Sequence, residues 1–305
     1  MSSHRDDSLE ERIIKLKKER NAVILSHNYQ RGEVQDIADF VGDSLELSQK
    51  AANTDAEVIV FCGVHFMAET AAIINPGKTV LLPDASAGCP MANMINAEQL
   101  RQKKRELPKA TVVTYINSTA AVKAESDYCC TSANGVKVVS QIENKEIIFV
   151  PDQYLGDFIA KKTGKTMTLW PGYCPTHVRI LPEDIINRKR EHPRAKVVVH
   201  PECRPDVIAL ADEALSTSGM IRYAAREDVK ELIVGTEVEI LHRLNKENPG
   251  KKFIAASKKA VCPNMKKITL DKILESLETM TPEVRVPEEI RIRAKAAVDR
   301  MLAIV

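Results

Sequence analysis

The sequence predicts an α/β fold in which one unit, a parallel sheet covered by helices, is written three times. Two observations carry this reading. The dipeptides Cys89-Pro90, Cys174-Pro175 and Cys262-Pro263 recur at separations of 85 and 88 residues, and a fixed period of that kind marks an internal repeat. Aligned on those pairs, the three preceding segments carry the same succession of β-branched runs, small-residue clusters and helical stretches, and strands alternating with helices favour parallel sheets. At 305 residues the chain also exceeds the size, roughly 250 to 300 residues, at which single cores stop growing. The repeats divide it into domains at 1–90, 91–177 and 178–266, with 267–305 as a closing helical segment.

Each unit opens with an apolar run that ends in polar, reactive side chains: Ala22 to Tyr29, Thr111 to Ser118, and Val197 to Cys203. These read as buried strands. A small-residue cluster suited to opening a helix follows, at Gly42-Asp43-Ser44, Thr131 to Asn134, and Ser216 to Gly219, because Ser, Thr and Asp accept hydrogen bonds from free amides at helix N-termini. Second strands lie at Glu57 to Phe61, Glu146 to Val150 and Glu231 to Gly235, and helices at Ala68 to Ile74, Tyr154 to Lys162 and Glu237 to Lys246. Third strands, Lys78 to Leu82, Lys165 to Leu169 and Lys251 to Ala255, lead into the Cys-Pro loops. Ile268 to Val305 reads as two helices, and Ile290, Ala294, Ala297, Met301 and Leu302 recur at the spacing of a face that packs back on the body.

Composition narrows the class of function. With 44% hydrophobic and 28% charged residues and a formal net charge of +2, the chain is an ordinary soluble globular protein and not a dedicated nucleic-acid binder. Met1 to Arg20 is too charged for a secretory signal, and no apolar run reaches membrane-spanning length. A cytoplasmic protein with reduced thiols and a small-molecule partner is expected, since seven cysteines without a secretory signal point to ligation more than to disulfides.

In open parallel sheets, ligands bind beyond the carboxyl ends of the strands. Three such edges facing one another enclose a central site holding one cysteine from each unit. Three cysteines at one point are a ligand set for a metal or an iron-sulfur cluster with one position left open, which in a cluster leaves one iron free as a Lewis acid. His177, three residues after Cys174, offers the alternative of a closed zinc set with Cys89, Cys174 and Cys262. His27, Tyr29, Tyr115, His200 and Glu202 are the strand-end groups able to move protons. Cys62, Cys129 and Cys130 read as buried small hydrophobes, and Cys203, beside Glu202, is left open.

The residues Ser26-His-Asn-Tyr29, Gly42-Asp-Ser44, Ala87-Gly-Cys-Pro-Met91, Thr114 to Thr119, Cys130 to Asn134, Gly172-Tyr-Cys-Pro-Thr-His177, His200-Pro-Glu-Cys203 and Cys262-Pro-Asn-Met, in this order along nearly the whole chain, resemble the quinolinate synthase family of A type. The resemblance implies three homologous three-layer domains in pseudo-threefold arrangement around a central active site. It implies an oxygen-sensitive [4Fe-4S] cluster held by Cys89, Cys174 and Cys262, and condensation of iminoaspartate with dihydroxyacetone phosphate to quinolinate, phosphate and two waters in NAD biosynthesis. Cys262 lacks the Cys-x-x-Cys-x-x-Cys companions of some members, so no redox switch of that kind is expected.

For the site, the resemblance implies that Ser44, Ser132 and Thr217 (or Ser218) hold substrate carboxylates or phosphate, a task suited to helix N-termini. His177 lines the open iron and orients a carboxylate or hydroxyl. Glu202 is the expected base, Tyr29 and His27 move protons on the triose, and Tyr115, Asn117 and His200 complete the substrate contacts. Because iminoaspartate hydrolyses readily, transient contact with the enzyme that makes it is also expected, although no segment stands out as a docking surface. The readings kept beside this one are another iron-sulfur hydro-lyase and a zinc-stapled protein that binds a small anion.

Overall fold

The computed structural model describes residues 8–304. Met1 to Asp7 of the charged N-terminal stretch, and Val305 of the closing segment, lie outside them. Helix α1 (Leu9–Glu19) starts at Ser8, whose hydroxyl accepts from the Glu11 amide while the Glu11 carboxylate accepts from the Ser8 amide, a reciprocal cap. The first sheet then runs β1 (Ala22–His27), α2 (Gly32–Ile37), β2 (Phe40–Gly42), α3 (Ser44–Ala52), β3 (Val58–Cys62), α4 (His65–Ile74), β4 (Thr79–Leu81). A 3-10 turn at Met91–Asn93 and α5 (Ala97–Glu106) lead to the second.

The second sheet repeats the order with β5 (Thr111–Tyr115), α6 (Ala120–Lys123), β6 (Tyr128–Cys130), α7 (Gly135–Gln141), β7 (Ile147–Val150), α8 (Gln153–Thr163) and β8 (Met167–Leu169). After a 3-10 turn at His177–Arg179 and α9 (Pro182–Glu191), the third has β9 (Lys196–Val199), α10 (Pro205–Ile208), β10 (Glu213–Ala214), α11 (Thr217–Ala224), β11 (Glu231–Gly235), α12 (Ile240–Glu247) and β12 (Lys252–Ala255). A third 3-10 turn, Met265–Lys267, precedes α13 (Leu270–Thr279) and α14 (Glu288–Leu302).

The fold class is the predicted one: α/β, with three parallel four-stranded sheets ordered β2-β1-β3-β4, β6-β5-β7-β8 and β10-β9-β11-β12. The inner strands β3 and β7 are buried along their whole length, as expected where helices cover both faces. Each unit holds one strand more than the sequence suggests. The extra edge strands β2, β6 and β10 are only three, three and two residues long, too short to show a period, and they merge with the small-residue clusters that follow. The opening strands are also shorter than read. They stop at His27, Tyr115 and Val199, where the chain turns out of the sheet.

The helices α1, α5 and α9 are not part of the sequence reading, yet all three carry local start signals, the Ser8–Glu11 cap on α1 among them. Asn96 and Gln99 form a reciprocal cap on α5, and Pro182 occupies the first turn of α9, where its missing amide is harmless.

In every sheet the strand order reverses between the first and the third strand of the unit. That point leaves a crevice at the strand carboxyl ends into which no crossover helix packs, and the reactive segments emerge there. The closing segment forms the two predicted helices. Ala294, Ala297, Val298 and Met301 of α14 are fully buried, and α14 packs against α4, α6 and β6. The side-chain amide of Asn134, at the start of α7, donates to the carbonyls of Met301 and Ile304 and so caps the end of α14. Among the described residues no helix is long and apolar enough to cross a membrane.

Truncating Met301 to Ala removes a fully buried side chain and is expected to lower the unfolding free energy by roughly 2 to 5 kcal/mol. Urea denaturation checks this, and an unchanged midpoint would show that α14 does not dock on the body.

Candidate active site

Strand register shows which residues are equivalent. His27 pairs with Gly42 and Tyr115 with Cys130, while Val199 pairs with Ala214, which sets His200 opposite Leu215. His27, Tyr115 and His200 therefore occupy one position in three sheets, Tyr29, Asn117 and Glu202 another two residues on, and Ser44, Ser132 and Thr217 a third. Together with Cys89, Cys174, Cys262 and His177, all of these line a single cavity of about 230 Å³. Each of the thirteen residues singled out in the sequence is thus brought to one place.

Glu202 sits at its centre, 3% exposed. Its Oε1 accepts from the Tyr115 hydroxyl at 2.5 Å and from Asn117 Nδ2 at 3.5 Å. Its Oε2 stands 2.7 Å from His177 Nδ1 and 3.8 Å from His200 Nδ1. Burial alone would raise its carboxyl, but the close approach of His177 and the hydrogen bond from Tyr115 outweigh it, holding the group below the usual carboxylate range and ionised. Burial pushes His27 and His200 down to about 3, so both rings are neutral at pH 7. Burial and the field of Glu202 push the Tyr29 and Tyr115 phenols well above their ordinary value, so both keep their protons.

The serine and threonine hydroxyls differ in one respect from expectation. The helices are capped by their neighbours: Asp43 accepts from the Leu45 and Glu46 amides at 3.0 Å, and Ser216 accepts from Gly219 at 3.2 Å. Ser44 and Thr217 are the first helical residues, and Ser132 precedes α7 by three positions. Their hydroxyls are consequently free of capping. Ser132 Oγ meets His200 Nε2 at 3.1 Å and Thr217 Oγ1 accepts from Asn28 Nδ2 at 2.8 Å. Ser218 turns away and donates to Glu46.

The three cysteines on the cavity wall are half-buried, whereas Cys62, Cys129, Cys130 and Cys203 are fully buried. Each cavity cysteine begins a turn that aims two backbone amides at its sulfur: Met91 and Ala92 at Cys89, Thr176 and His177 at Cys174, Asn264 and Met265 at Cys262. Paired N–H···S contacts favour the thiolate, and hydrogen bonds to sulfur are one of the means by which proteins tune an iron-sulfur cluster. Without metal, burial still raises all three thiols, Cys89 to about 12, so ligation displaces protons and is favoured by higher pH. Glycine at position 172 is what lets the Cys174 loop lie so close, because a Cβ there would stand 2.4 Å from the carbonyl oxygen of Pro151.

These sulfurs suit a cluster better than one zinc ion. Among the described residues, the metal-binding atoms that lie within 4.8 Å of one another belong to Cys174, His177 and Glu202. Three thiolates on a tetrahedral zinc, with bonds of about 2.3 Å, would be only ~3.8 Å apart, and Cys89 and Cys262 do not belong to that close group. Nor do His177 and Glu202 form a ligand pair, since their 2.7 Å separation is a direct contact, shorter than the roughly 3.3 Å between two ligands of one zinc.

A sequence profile described as "Quinolinate synthetase A protein" matches residues 11–303. The chain is 64% identical over 294 residues to the quinolinate synthase of Dehalococcoides mccartyi strain CBDB1, covering 96% of this chain and 97% of that one. It is 57% identical over 298 residues to that of Geobacter metallireducens, covering 98% of each, and 56% identical over 293 residues to quinolinate synthase 1 of Methanosarcina acetivorans, covering 96% of each. The chain belongs to the quinolinate synthetase A family.

Several residues of this family member escaped the sequence reading. Asp43 and Glu237 line the cavity as buried acids, and burial raises both carboxyls. Glu237 accepts from the Cys262 amide at 3.0 Å and pairs with Lys266 at 2.9 Å, and Lys266 also donates to the Tyr29 carbonyl. Asp152, at the equivalent position in the second sheet, caps α8 through Oδ1, and its Oδ2 is buried without a partner. Val64 fills that position in the first. The signal was available as an acid two residues past the β7 and β11 strand ends, but it appears in only two repeats of three.

His27 and His200 bind fewer protons folded than unfolded below their ordinary 6.5. Their contribution to stability is therefore complete above pH 6.5 and is lost as pH falls toward 3, with a slope approaching about 1.4 kcal/mol per pH unit for each ring. Urea titrations of cluster-free protein between pH 6.5 and 4.5 should show a shallower slope in the His27→Asn/His200→Asn double variant than in the parent. Equal slopes would mean that the two rings are not buried as neutral groups.

Proposed function

We propose that this protein is a quinolinate synthase that condenses iminoaspartate with dihydroxyacetone phosphate, releasing phosphate and two waters, in the cytoplasmic synthesis of NAD. The overall reaction balances without oxidant or reductant. The observation that carries the reading is one cavity lined by three amide-cradled cysteines and, on its other walls, by the strand-end acids, bases and hydroxyls of three sheets. Cys89, Cys174 and Cys262 would hold a [4Fe-4S] cluster. When bound, it supplies a Lewis acid at the iron that no cysteine occupies, suited to loss of a hydroxyl from a hydroxy acid.

The chain's own residues do the rest. Ser44, Ser132 and Thr217 present hydroxyls to anionic groups, and Arg179, exposed where it borders the cavity, adds a cation. Asn117 Oδ1 is buried without a partner, so a bound substrate that donates a proton there satisfies it, since leaving such an atom unpaired costs about 1 to 3 kcal/mol. Glu202 is an ionised base already oriented by Tyr115 and His177, and it takes a proton from carbon in isomerisation or dehydration. Tyr29, protonated and 2.5 Å from Thr236, and His27, neutral and packed edge-on against Tyr29 at 4.6 Å between ring centres, serve proton movements on the triose. His200 holds Ser132 in place.

Anaerobically reconstituted protein is expected to be brown, to bleach in air, and to form quinolinate only when both substrates are supplied. Turnover of other hydroxy acids with no quinolinate would support a general hydro-lyase instead. Colourless protein holding one tight zinc and no iron would support a stapled binder. Cys89→Ala, Cys174→Ala and Cys262→Ala should each abolish iron binding, while alanine at Cys62, Cys129, Cys130 or Cys203 should leave iron content intact. Full iron in any of the first three variants would overturn the ligand assignment. Glu202→Gln is expected to keep its iron and lose on the order of 10² to 10⁴ in kcat, and wild-type kcat in that variant would remove Glu202 as the base.

A further inference from the structure

We propose that Asp84, Lys267 and Lys272 are positioning residues: they form a clasp, away from the cavity wall, that braces the Cys89 turn against the Cys262 turn and so fixes how two of the three proposed cluster ligands stand to each other. The ligand role of those cysteines rests on the function proposed above, whereas the brace between the two turns does not.

The loop that delivers Cys89 has little packing to hold it. Gly88 and Cys89 line both the central cavity and, with Ser86, a second hollow of about 140 Å³. A Cβ on Gly88 would meet no atom outside its own chain neighbours closer than 4.0 Å. Bordered by two hollows, the loop must take its position from polar contacts. Asp84 Oδ1 accepts from the Ser86 amide at 2.8 Å and from the Ser86 hydroxyl at 2.5 Å, while Asp84 Oδ2 accepts from Lys272 Nζ at 2.5 Å. Lys272 also donates to the Lys267 carbonyl at 2.9 Å, and Lys267 Nζ donates to the Ser86 carbonyl at 2.7 Å. The four residues thus close a ring of contacts between the two turns. Burial would raise the Asp84 carboxyl, but the hydrogen bonds from Lys272 and Ser86 outweigh it and lower the group to about 2, so it is ionised at neutral pH. An isolated surface ion pair contributes little, but a network with fixed geometry contributes more.

The course of the chain explains why the clasp falls here. Lys267 ends the 3-10 turn after Cys262, and α13, which carries Lys272, follows at once. Beyond α13 the chain returns to the first unit, where the Leu82 amide donates to the Pro282 carbonyl at 3.1 Å and the Val284 amide to the Val80 carbonyl at 2.8 Å. The closing segment therefore fastens the third unit to β4, the strand that leads into Cys89. The Cys174 turn is held by other means. Trp170 Nε1 donates to the Met94 carbonyl at 2.8 Å, which ties it to the segment after Cys89, and the Gln153 amide donates to the Gly172 carbonyl at 2.9 Å within its own unit. Five and three residues before the cavity cysteine stand Asp84 and Ser86 in the first unit, Leu169 and Pro171 in the second, and Ser257 and Lys259 in the third. The acid occurs only in the loop that the closing segment reaches.

Cluster-free protein supplies the first test. The Ala87 and Gly88 amides, which donate to the Asp84 and Ser86 carbonyls, report local opening of the loop by hydrogen exchange. They should exchange on the order of tenfold faster in Asp84→Asn, Lys267→Met and Lys272→Met than in the parent or in Lys272→Arg, the low end of the ~10- to 100-fold effects of disturbing residues that orient metal ligands. Lys295→Met, which removes a surface ion pair with Asp299 on α14, should leave that exchange unchanged. Parental exchange in all three clasp variants would overturn the proposal. In anaerobically reconstituted protein, iron release to EDTA should likewise be about tenfold faster in Asp84→Asn and Lys272→Met, and no faster in the double variant than in either single one, as expected of partners in one contact. Parental release from both single variants would overturn the positioning role, as would equal acceleration by Lys295→Met, which would mark a general loss of stability. Parent protein that takes up no iron, with exchange still faster in the clasp variants, would overturn the ligand assignment and leave the brace between the two turns standing.

Discussion

A buried, ionised carboxylate governs the centre of this molecule. Glu202 is nearly inaccessible, and a charge in such a place destabilises a fold by several kcal/mol unless it is paired and hydrogen-bonded. Its partners come from different parts of the chain. Tyr115 and Asn117 follow a strand of the second sheet, His177 comes from the Cys174 turn, and His200 precedes it in its own loop. Satisfying one carboxylate thus ties the second and third sheets together, and Tyr29, through Thr236 and His177, adds the first. Neutral His27 and His200 follow from the same enclosure, because their burial outweighs the field of the Glu202 carboxylate on both rings.

Around that centre, repetition and divergence serve separate purposes. The cysteine turns are built alike, each offering its sulfur two backbone amides, and amides do not depend on which side chain a residue carries. A threefold ligand set can consequently persist while the neighbouring side chains change. At the third position past each cysteine stand Ala92, His177 and Met265, and at the second position past the inner strand stand Val64, Asp152 and Glu237. Backbone geometry repeats, whereas the acid–base groups do not, as a reaction on unlike substrates requires.

Much of this was legible in the linear chain. Buried parallel strands are nearly uninterrupted β-branched runs, and reactive residues at the end of such runs are unusual enough to register when they recur at one period. His27, Tyr115 and His200, or Cys89, Cys174 and Cys262, could be chosen because each is one of three. Less was visible where the signal was short or solitary. The edge strands β2, β6 and β10 draw their register from the neighbouring strand, and Asp43, Thr236 and Glu237 are ordinary polar residues until another sheet is set against them. The capping assignment missed by one residue for a similar reason, since Asp43 and Ser44, or Ser216 and Thr217, are equally good caps by composition and only the turn of the chain chooses between them.

By itself, then, the amino-acid order determined the repeat, the fold class, the family and the identity of the thirteen repeat-related residues found on the cavity wall, because all of these depend on local periodicity and on patterns that recur along the chain. Tertiary structure alone decided how those residues meet: that Glu202 is ionised while His27 and His200 are neutral, that Thr236 stands between Tyr29 and His177, and that Ser44, Ser132 and Thr217 have hydroxyls free of capping. Protonation and hydrogen-bond direction are set by burial and by partners 59 to 207 residues distant in the chain, and no local pattern encodes a contact that exists only once three sheets have closed on one another.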